Sequence, residues 1–318
     1  MMKKWILALP LLAILNGCAP KSQTGSAAHS NPKTFTYSGQ GPLEIVATTG
    51  MVGDIAKNLG GARVRIRTLM GPGVDPHLYK PTPGDARALQ SADMMFYNGL
   101  HLEGKMSDVL ERVGQKKAVV AVADDIPESQ LLLADAATKT HDPHVWFDVS
   151  KWMLATEKAR DSLVKFDPAG EKLYRDNATK YLAQLRELDS EARREIATIP
   201  QARRVLVTAH DAFRYFGRAY KIEVEGLQGI STASEVSVRD VSRIVDMLVK
   251  RRIKAVFVES SVPKRTIEAV AQGCRARGHE VVIGGELFSD AMGKSGTPEG
   301  SYIGMVRANV ETIVGALK

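Results

Sequence analysis

Cysteine is scarce in this chain of 318 residues, which contains only Cys18 and Cys274. So few cysteines exclude a disulfide-rich scaffold, and no apolar run is long enough to cross a bilayer as a stable helix. The glycines form no Gly-x-Gly-x-x-Gly fingerprint, and the histidines form no His-Glu-x-x-His pair. Nucleotide binding and zinc-dependent hydrolysis therefore lack support, and the length suggests about two globular domains.

Aromatic residues are also sparse, and they are not interleaved with the basic ones. The formal charge of +7 falls to +5 if the two lysines at positions 3 and 4 leave with a signal peptide. The remaining excess lies on predicted helix faces, such as the one that carries Arg193 and Arg194. We therefore expect no nucleic-acid partner, and a mildly basic surface that suits a position near anionic lipid headgroups.

The first residues have the features of a secretory signal peptide. Two lysines precede the apolar run 5–15, which is followed by Asn16-Gly17-Cys18. A small residue directly before a cysteine resembles the lipobox of bacterial lipoproteins, although Asn16 departs from the usual small or aliphatic residue there. We predict that residues 1–17 are removed and that Cys18 becomes the lipidated N-terminus.

Residues 18–42 are rich in Ser, Thr, Gly, Pro and Ala and almost free of apolar runs. This composition predicts a flexible tether that holds a folded domain away from a membrane. Cys274 then has no cysteine partner, so we expect it to be a small packed residue without a disulfide. The expected location is the cell envelope, with a lipid anchor on the periplasmic side or on the outer face of the cytoplasmic membrane.

Short apolar runs bounded by turn residues alternate with helical periods from residue 43 onward. This alternation predicts an α/β fold, in which parallel sheets are flanked by helices. We expect two lobes of roughly four strands each, an N-terminal α/β lobe over 43–166 and a C-terminal α/β lobe over 201–318. The predicted strands are 43–48, 64–69, 93–97 and 118–123 in the first lobe, and 204–208, 221–225, 255–259 and 280–283 in the second.

One long amphipathic helix is predicted between the lobes, over residues 167–200. After Gly170 the segment has no glycine or proline until Pro200, so two helices with a break between them lack a breaker residue. A helix of about 30 residues extends about 45 Å, and such a rigid connection should limit hinge motion between the lobes. The apolar residues recur at spacings of three and four, as a single stripe requires. They are Tyr174, Ala178, Tyr181, Leu185, Leu188, Ala192 and Ile196.

The tripeptide Asp-Pro-His occurs twice in the first lobe, ending at His77 and at His144. In each copy the proline stiffens the loop that presents the imidazole. The carboxylates of Asp75 and Asp142 could orient these rings through their second nitrogen, as outer groups do in metal sites. Two ordinary turns would also explain the pattern, so the repeat by itself leaves both interpretations open.

Two further candidates follow predicted strands of the second lobe. His210 comes after the apolar run 205–208, and Asp290 comes after the strand 280–283. Open α/β sheets bind ligands at the carboxyl ends of their strands, so both positions suit a site. Glu259 also ends a strand, where it could accept a hydrogen bond near the site or serve a structural or helix-capping role. The other histidines, which we interpret as surface or packed residues, are His29, His101, His141 and His279.

At these segments the sequence resembles the TroA-like metal-binding lipoproteins, the cluster A-I solute-binding proteins of ABC importers. The resemblance runs from about residue 43 to the C-terminus and includes the connecting helix. It implies that a metal ion lies between the lobes, with His77 and His144 from the first lobe and His210 and Asp290 from the second as ligands. The motifs that carry it are GVDPHLY at 73–79, DPHVWFD at 142–148, TAHDAF at 208–213 and LFSDAMG at 287–293.

Three imidazoles and one carboxylate disfavour Mg²⁺ and Ca²⁺ and suit Zn²⁺ or its transition-metal neighbours. Four protein ligands leave no obligatory position for a catalytic water, so we expect a binding protein and no enzyme. In the resembling family, manganese-preferring members often carry glutamate where this chain has His210, whereas zinc-binding and mixed members carry histidine. Dedicated zinc importers often have a long His-rich loop, but the segment 128–142 contains only His141, either its vestige or a surface residue. Zn²⁺ and Mn²⁺ therefore both remain candidates.

The resemblance implies a monomeric receptor that captures one Zn²⁺ or Mn²⁺ per chain and delivers it to a membrane permease powered by a separate ATPase. The alternative is a surface adhesin, an activity often ascribed to members of this family, in which the metal site would be structural. Binding to a host ligand that persists after His210→Ala and Asp290→Ala would favour the adhesin.

Overall fold

The computed structural model describes residues 35–135 and 137–318, together with Met2. The predicted lipidation site Cys18, the rest of the predicted signal peptide and most of the predicted tether lie outside the described residues. The end of that tether is part of the fold, because the backbone N–H of Tyr37 donates to the carbonyl of Phe166 over 2.6 Å. Phe35 and Tyr37 both pack against the core. The compact unit therefore begins at Phe35, earlier than the predicted residue 43.

The first half of the chain, residues 35–166, contains a four-stranded parallel sheet in the order β2-β1-β3-β4. Its central strand β1 places Ile45 between Ile66 and Met94 of the neighbouring strands. The strands match the predicted ones within two residues, because their apolar runs are short and bounded by turns. They are β1 (Leu43–Ala47), β2 (Val64–Thr68), β3 (Met94–Tyr97) and β4 (Ala118–Ala121).

Helices of the first half begin where local side chains satisfy free backbone N–H groups. The clearest case is a capping box, in which Thr82 accepts from the N–H of Asp85 and the Asp85 carboxylate accepts from the N–H of Thr82. The four helices are α1 (Gly50–Gly60), α2 (Pro83–Ser91), α3 (Ser107–Gly114) and α4 (Val149–Phe166). A short antiparallel hairpin, β5 (Leu133–Asp135) with β6 (Thr140–His141), was not predicted, since its strands are too short to show a periodic pattern.

The second half, residues 201–318, contains parallel strands in two hydrogen-bonded pairs, β7 with β8 and β9 with β10. β7 also lies beside β9, so the four strands are neighbours but do not form the single sheet that the sequence predicts. At the end of this seam the N–H of His210 donates to the side chain of Glu259 over 2.8 Å. The elements are β7 (Val205–His210), α6 (Arg214–Tyr220), β8 (Glu223–Gln228), α7 (Val238–Arg251), β9 (Ala255–Glu259), α8 (Arg265–Ala276), β10 (Val282–Leu287) and α9 (Tyr302–Leu317).

The two halves are joined by α5 (Glu171–Ala197), an unbroken helix of 27 residues that follows a 3-10 turn at Pro168–Gly170. It is about 40 Å long, close to the predicted length. All seven residues of the predicted apolar stripe are buried in it. The helix packs on α1 and α4 from the first half and on α6 and α9 from the second, so its buried stripe belongs to both halves.

The loops that leave the carboxyl ends of several strands meet between the halves. These are the loop after β2, the segment after β6, the end of β7 and the loop after β10. Parallel strands place their carboxyl ends on one side of a sheet, which accounts for the loop after β2, the end of β7 and the loop after β10. The segment after β6 follows the antiparallel hairpin instead. Within the described residues, no helix combines the length and apolar character needed to cross a membrane.

Candidate metal centre

Four buried side chains from distant parts of the sequence converge between the halves. His77 lies in the loop after β2, His144 lies three residues beyond β6, His210 is the last residue of β7, and Asp290 follows β10. One nitrogen or carboxylate oxygen from each lies within 4.8 Å of all the others. His77 is 7% exposed, whereas the other three are at most 1% exposed, so the site is closest to solvent at His77.

The ε nitrogens of the three imidazoles point towards one another and towards the carboxylate. Nε2 of His77 lies 3.3 Å from Nε2 of His144. Oδ1 of Asp290 is 3.4 Å from Nε2 of His144, and its Oδ2 is 3.3 Å from Nε2 of His210 and 3.8 Å from Nε2 of His77. Four potential donor atoms thus surround one small volume, as a four-coordinate ion requires.

His144 is held by the aspartate of its own tripeptide. Oδ1 of Asp142 is 2.8 Å from Nδ1 of His144 and also accepts the backbone N–H of His144 over 3.0 Å. Both residues are fully buried. The second ring nitrogen is therefore fixed by a carboxylate, which aims Nε2 at the centre, as the tripeptide suggested.

His210 is held in the same way by a residue far away in the sequence. Oε2 of Glu259, at the end of β9, is 2.5 Å from Nδ1 of His210, and Oε1 accepts the backbone N–H of His210. Of the roles open to Glu259, the structure favours an acceptor beside the site. The adjacent strands β7 and β9 bring these two residues together, which the sequence alone does not show.

His77 is held differently, although its tripeptide is the same. Oδ1 of Asp75 accepts the backbone N–H of His77 over 2.9 Å, which fixes the loop but leaves the ring to other contacts. Oδ2 of Asp75 turns instead to the hydroxyl of Thr232 in the second half. The expectation that Asp75 orients the imidazole of His77 is therefore wrong, because its second oxygen is used between the halves.

Burial and neighbouring charges shift the pKa values of the four groups in different directions. Burial lowers the pKa of His77 to about 4. Burial also acts to lower the pKa of His144 and His210, but the carboxylates beside them outweigh it and raise the first to about 9 and the second well above its usual value. For Asp290, burial acts to raise the pKa, and the adjacent imidazoles lower it well below its usual range. Without a metal, the site at neutral pH thus pairs imidazolium with carboxylate.

Several polar atoms at the centre have no hydrogen bond of good geometry. In the described part of the chain, Nε2 of His210 and both carboxylate oxygens of Asp290 are buried and unsatisfied. Leaving such atoms unpaired is costly in a protein interior. A divalent cation held by imidazole nitrogens and a carboxylate would satisfy all of them, and the donor set suits Zn²⁺ and its neighbours.

The other sequence candidates lie elsewhere or outside the description. His101 is exposed in a left-handed backbone conformation with φ of 64°, and His279 contacts the carbonyl of Ile253. His141 lies on β6, 4.0 Å from Glu128, and is separate from the cluster. Cys274 is buried and free, and His29 lies outside the described residues.

Sequence reasoning missed the groups that hold the two halves around the site. The indole N–H of Trp146 donates to the carbonyl of Ser289, and the hydroxyl of Tyr302 donates to the carbonyl of Trp146. The hydroxyl of Tyr215 donates to the carbonyl of Asp142. The only signal in the sequence was that Trp146 and Ser289 lie close to His144 and Asp290 within the motifs. A hydrogen bond between residues 143 positions apart cannot be inferred from that signal.

Comparison with known proteins identifies a family for this arrangement. Residues 45–316 match the family described as zinc-uptake complex component A, periplasmic (ZnuA). The manganese-binding lipoprotein MntA of Bacillus subtilis (strain 168) is 48% identical over 319 residues, covering 100% of both chains. The manganese ABC transporter substrate-binding lipoprotein ScaA of Streptococcus gordonii is 29% identical over 295 residues, covering 91% of this chain and 93% of that protein.

A solved structure supports the same conclusion. The zinc-binding protein TroA of Treponema pallidum (strain Nichols) is 49% identical over 273 residues, covering 86% of this chain and 88% of that protein. The structure of periplasmic zinc-binding TroA from that organism superposes with a TM-score of 0.85 at 48% identity, covering 87% of this chain and 99% of that chain. The resemblance seen in the sequence is confirmed, and the chain belongs to the TroA/ZnuA family of metal-binding solute receptors.

Proposed function

We propose that this protein captures Zn²⁺ or Mn²⁺ between its halves as the binding component of an ABC importer, with His77, His144, His210 and Asp290 as the ligands. The observation that carries the assignment is the buried cluster itself, in which four donor atoms lie within 4.8 Å of one another. Relatives named for manganese and for zinc binding are about equally similar to it. The family consists of binding proteins, in agreement with the prediction that the chain is no enzyme.

The chemistry of the cluster supports capture. Two ligands come from each half, so a bound ion links loops that are otherwise separate in the sequence. Four protein donors leave no required position for a reactive water, in contrast to the three protein ligands of most catalytic zinc sites. The ion is therefore cargo, held once per chain until the halves separate.

The metal that the protein carries depends on which ion is available in the cell as well as on the affinity of the site. Sites rich in nitrogen bind Zn²⁺ more tightly than Mn²⁺ by the usual order of divalent metals. Purified protein will therefore favour Zn²⁺ even if the cell loads it with Mn²⁺. Metal analysis of protein isolated directly from its native envelope identifies the transported ion.

Delivery requires a membrane partner and a position close to it. We propose a cognate ABC permease with its ATPase as that partner, and a lipid on Cys18 as the anchor, since relatives are named lipoproteins and ABC transporter components. Metabolic labelling with a radioactive fatty acid should label the wild type and leave Cys18→Ser unlabelled.

The ligand assignment is tested by titrating chelator-treated protein with Zn²⁺ and Mn²⁺ in a calorimeter. One ion per chain is expected for the wild type, and no high-affinity binding for His210→Ala or Asp290→Ala. His101→Asn is a matched control, because His101 is exposed and asparagine tolerates its left-handed backbone conformation. Uptake of neither metal by the wild type, or undiminished binding by the ligand variants, would overturn the proposal.

A further inference from the structure

One hydrogen bond joins the two halves beside the least enclosed histidine. The hydroxyl of Thr232, in the loop between β8 and α7, donates to Oδ2 of Asp75 over 2.6 Å. Asp75 belongs to the first half and lies two residues before His77. Neither Thr232 nor Asp75 is a proposed metal ligand, so the proposed site does not account for the hydrogen bond between them.

The aspartate connects the second half to the position of His77. Its other oxygen, Oδ1, accepts the backbone N–H of His77 over 2.9 Å. The same carboxylate thus bonds on one side to the loop that presents His77 and on the other side to Thr232. Separation of the halves at this point must break the bond to Thr232 before the loop of His77 can move away with the first half.

The threonine is held in place by its own half. The side-chain amide of Gln228 donates to the carbonyls of Thr232 and Ser234, the first over 2.8 Å, and so closes the loop on itself. Gln228 is the last residue of β8 and is paired with His210 on β7. The loop therefore starts beside a ligand of the second half and reaches to a ligand loop of the first.

The position of this bond suits control of exchange with solvent. A cleft of about 420 Å³ lies between the halves there, lined by Asp75 and Leu78 on one side and by Thr232 and Ser261 on the other. His77 is the most exposed of the four ligands. A bound ion should leave most easily past the least enclosed ligand, which is His77, two residues from Asp75.

We propose that the bond between Asp75 and Thr232 is a latch that holds the halves together beside His77 and slows release of the metal. The proposal rests on the proposed function, because it assumes a metal at the cluster. Asp75 and Thr232 are positioning residues in it, since they act through the loop of His77 and do not touch the ion.

The test measures how fast bound Zn²⁺ passes from the full-length protein to an excess of a chromogenic chelator in stopped flow. Thr232→Val keeps the shape of the side chain and removes its hydroxyl. A hydrogen bond to a carboxylate at such a half-buried position is worth about a tenfold change, so dissociation should become about ten times faster. Thr232→Ser keeps the hydroxyl and should release the ion within about twofold of the wild-type rate.

Two controls separate the latch from a general loss of structure. Ser234→Ala removes a hydroxyl from the same loop and should leave the dissociation rate unchanged. The melting temperature of the metal-free Thr232→Val protein should fall by no more than a few degrees, as expected for the loss of one hydrogen bond without unfolding. Thr232→Ala provides a second variant with the same expected rate. Wild-type release rates in Thr232→Val and Thr232→Ala, or fast release in Thr232→Ser, would overturn the latch. A wild type that binds no metal would overturn the proposed function and the latch together, so the two failures are distinguishable.

Discussion

Two histidines of the candidate metal centre have their δ nitrogens hydrogen-bonded to carboxylates. His144 is fixed by Asp142 from its own tripeptide, whereas His210 is fixed by Glu259 from a neighbouring strand. In both cases a buried carboxylate holds the nitrogen that does not face the cluster. Such groups orient the ligand and increase its basicity, so they contribute to affinity without touching the ion.

Glu259→Gln should weaken binding of Zn²⁺ by about 10- to 100-fold. The carboxylate accepts both the backbone N–H and the ring of His210, and a glutamine side chain has only one oxygen to replace two. Competition with a chelator of known affinity measures the change. Glu286→Gln is the matched control, because Glu286 lies on the adjacent strand β10 in an exposed pair with Lys264. Equal affinity of Glu259→Gln and wild type would contradict the role of Glu259.

Proton release should accompany metal binding at neutral pH. In the metal-free protein the pKa of His144 is about 9 and that of His210 is higher than usual, because carboxylates surround both rings, so both are protonated at pH 7. A metal displaces these protons, and about two should leave per ion. Affinity should therefore fall as the pH falls below about 9, by more than tenfold per pH unit near pH 7. Calorimetry in buffers of different ionisation enthalpy counts the protons, and the absence of any release would show that the rings are already neutral.

The candidate ligands could be identified from the sequence, but the groups that orient them could be identified only in part. The four ligand candidates stand in local motifs, and the structure brings all of them together. Asp142 was visible because it is two residues from His144. The bond between Glu259 and His210 spans 49 positions and depends on the packing of two strands, so it remained one of several roles. For Asp75 the sequence predicted a bond that does not form. It stands in the same tripeptide as Asp142, but its carboxylate binds the hydroxyl of Thr232 and not the ring of His77.

The start of the long helix depends on an ion pair between buried Asp167 and partly exposed Arg63. Asp167 is 1% exposed and accepts from Nε and Nη2 of Arg63, which follows α1, and from the hydroxyl of Tyr174 on α5. The hydrogen bond from Arg63 is the largest cause that lowers the pKa of Asp167. The cluster thus fixes the first turns of α5 against the first half.

Asp167→Asn should lower the free energy of unfolding of the metal-free protein by about 2–3 kcal/mol at pH 7. Because folding lowers the pKa of Asp167, its stabilisation is fully present above the unfolded value of about 4 and is lost as the pH falls through the folded value. The difference between wild type and variant should therefore be constant from pH 7 to pH 5 and shrink below pH 4. Urea unfolding at several pH values measures it.

The control for that experiment is an exposed aspartate on the same helix. Asp176 pairs with Lys172 one turn away at the surface, and Asp176→Asn should have a much smaller effect at every pH. A gap between wild type and Asp167→Asn that persists undiminished at pH 3 would exclude the ionised carboxylate as its source.

Elements with long or regular patterns were predictable, and short or irregular ones were not. The stripe of α5 and the apolar runs of β1 and β9 carry enough periodic residues to define them. In the hairpin, β5 has three residues and β6 has two, which is too few to show a periodic pattern. The division of the second half into two strand pairs was also missed, because hydrogen-bonded pairing between strands depends on backbone geometry and not on which residues are apolar.

At the scale of the whole molecule, a bound ion should stabilise the fold substantially. The proposed ligands come from both halves, so unfolding either half would remove the site. A ligand that binds only the folded form stabilises it by about 4 kcal/mol at a concentration one thousand times its Kd. Addition of Zn²⁺ should therefore raise the melting temperature of the wild type by several degrees and leave that of Asp290→Ala unchanged. Differential scanning calorimetry measures both, and an equal rise in the two proteins would place the stabilising ion elsewhere.

The proposed function requires one divalent metal ion among His77, His144, His210 and Asp290. Anomalous diffraction at the zinc absorption edge, from crystals of the Zn²⁺-loaded wild type, locates that ion. One strong peak per chain is expected, about 2.0–2.1 Å from Nε2 of each histidine and in contact with the carboxylate of Asp290. A peak at another group of side chains instead, or no peak at this cluster in the loaded protein, would show that the ion is not held by these four residues.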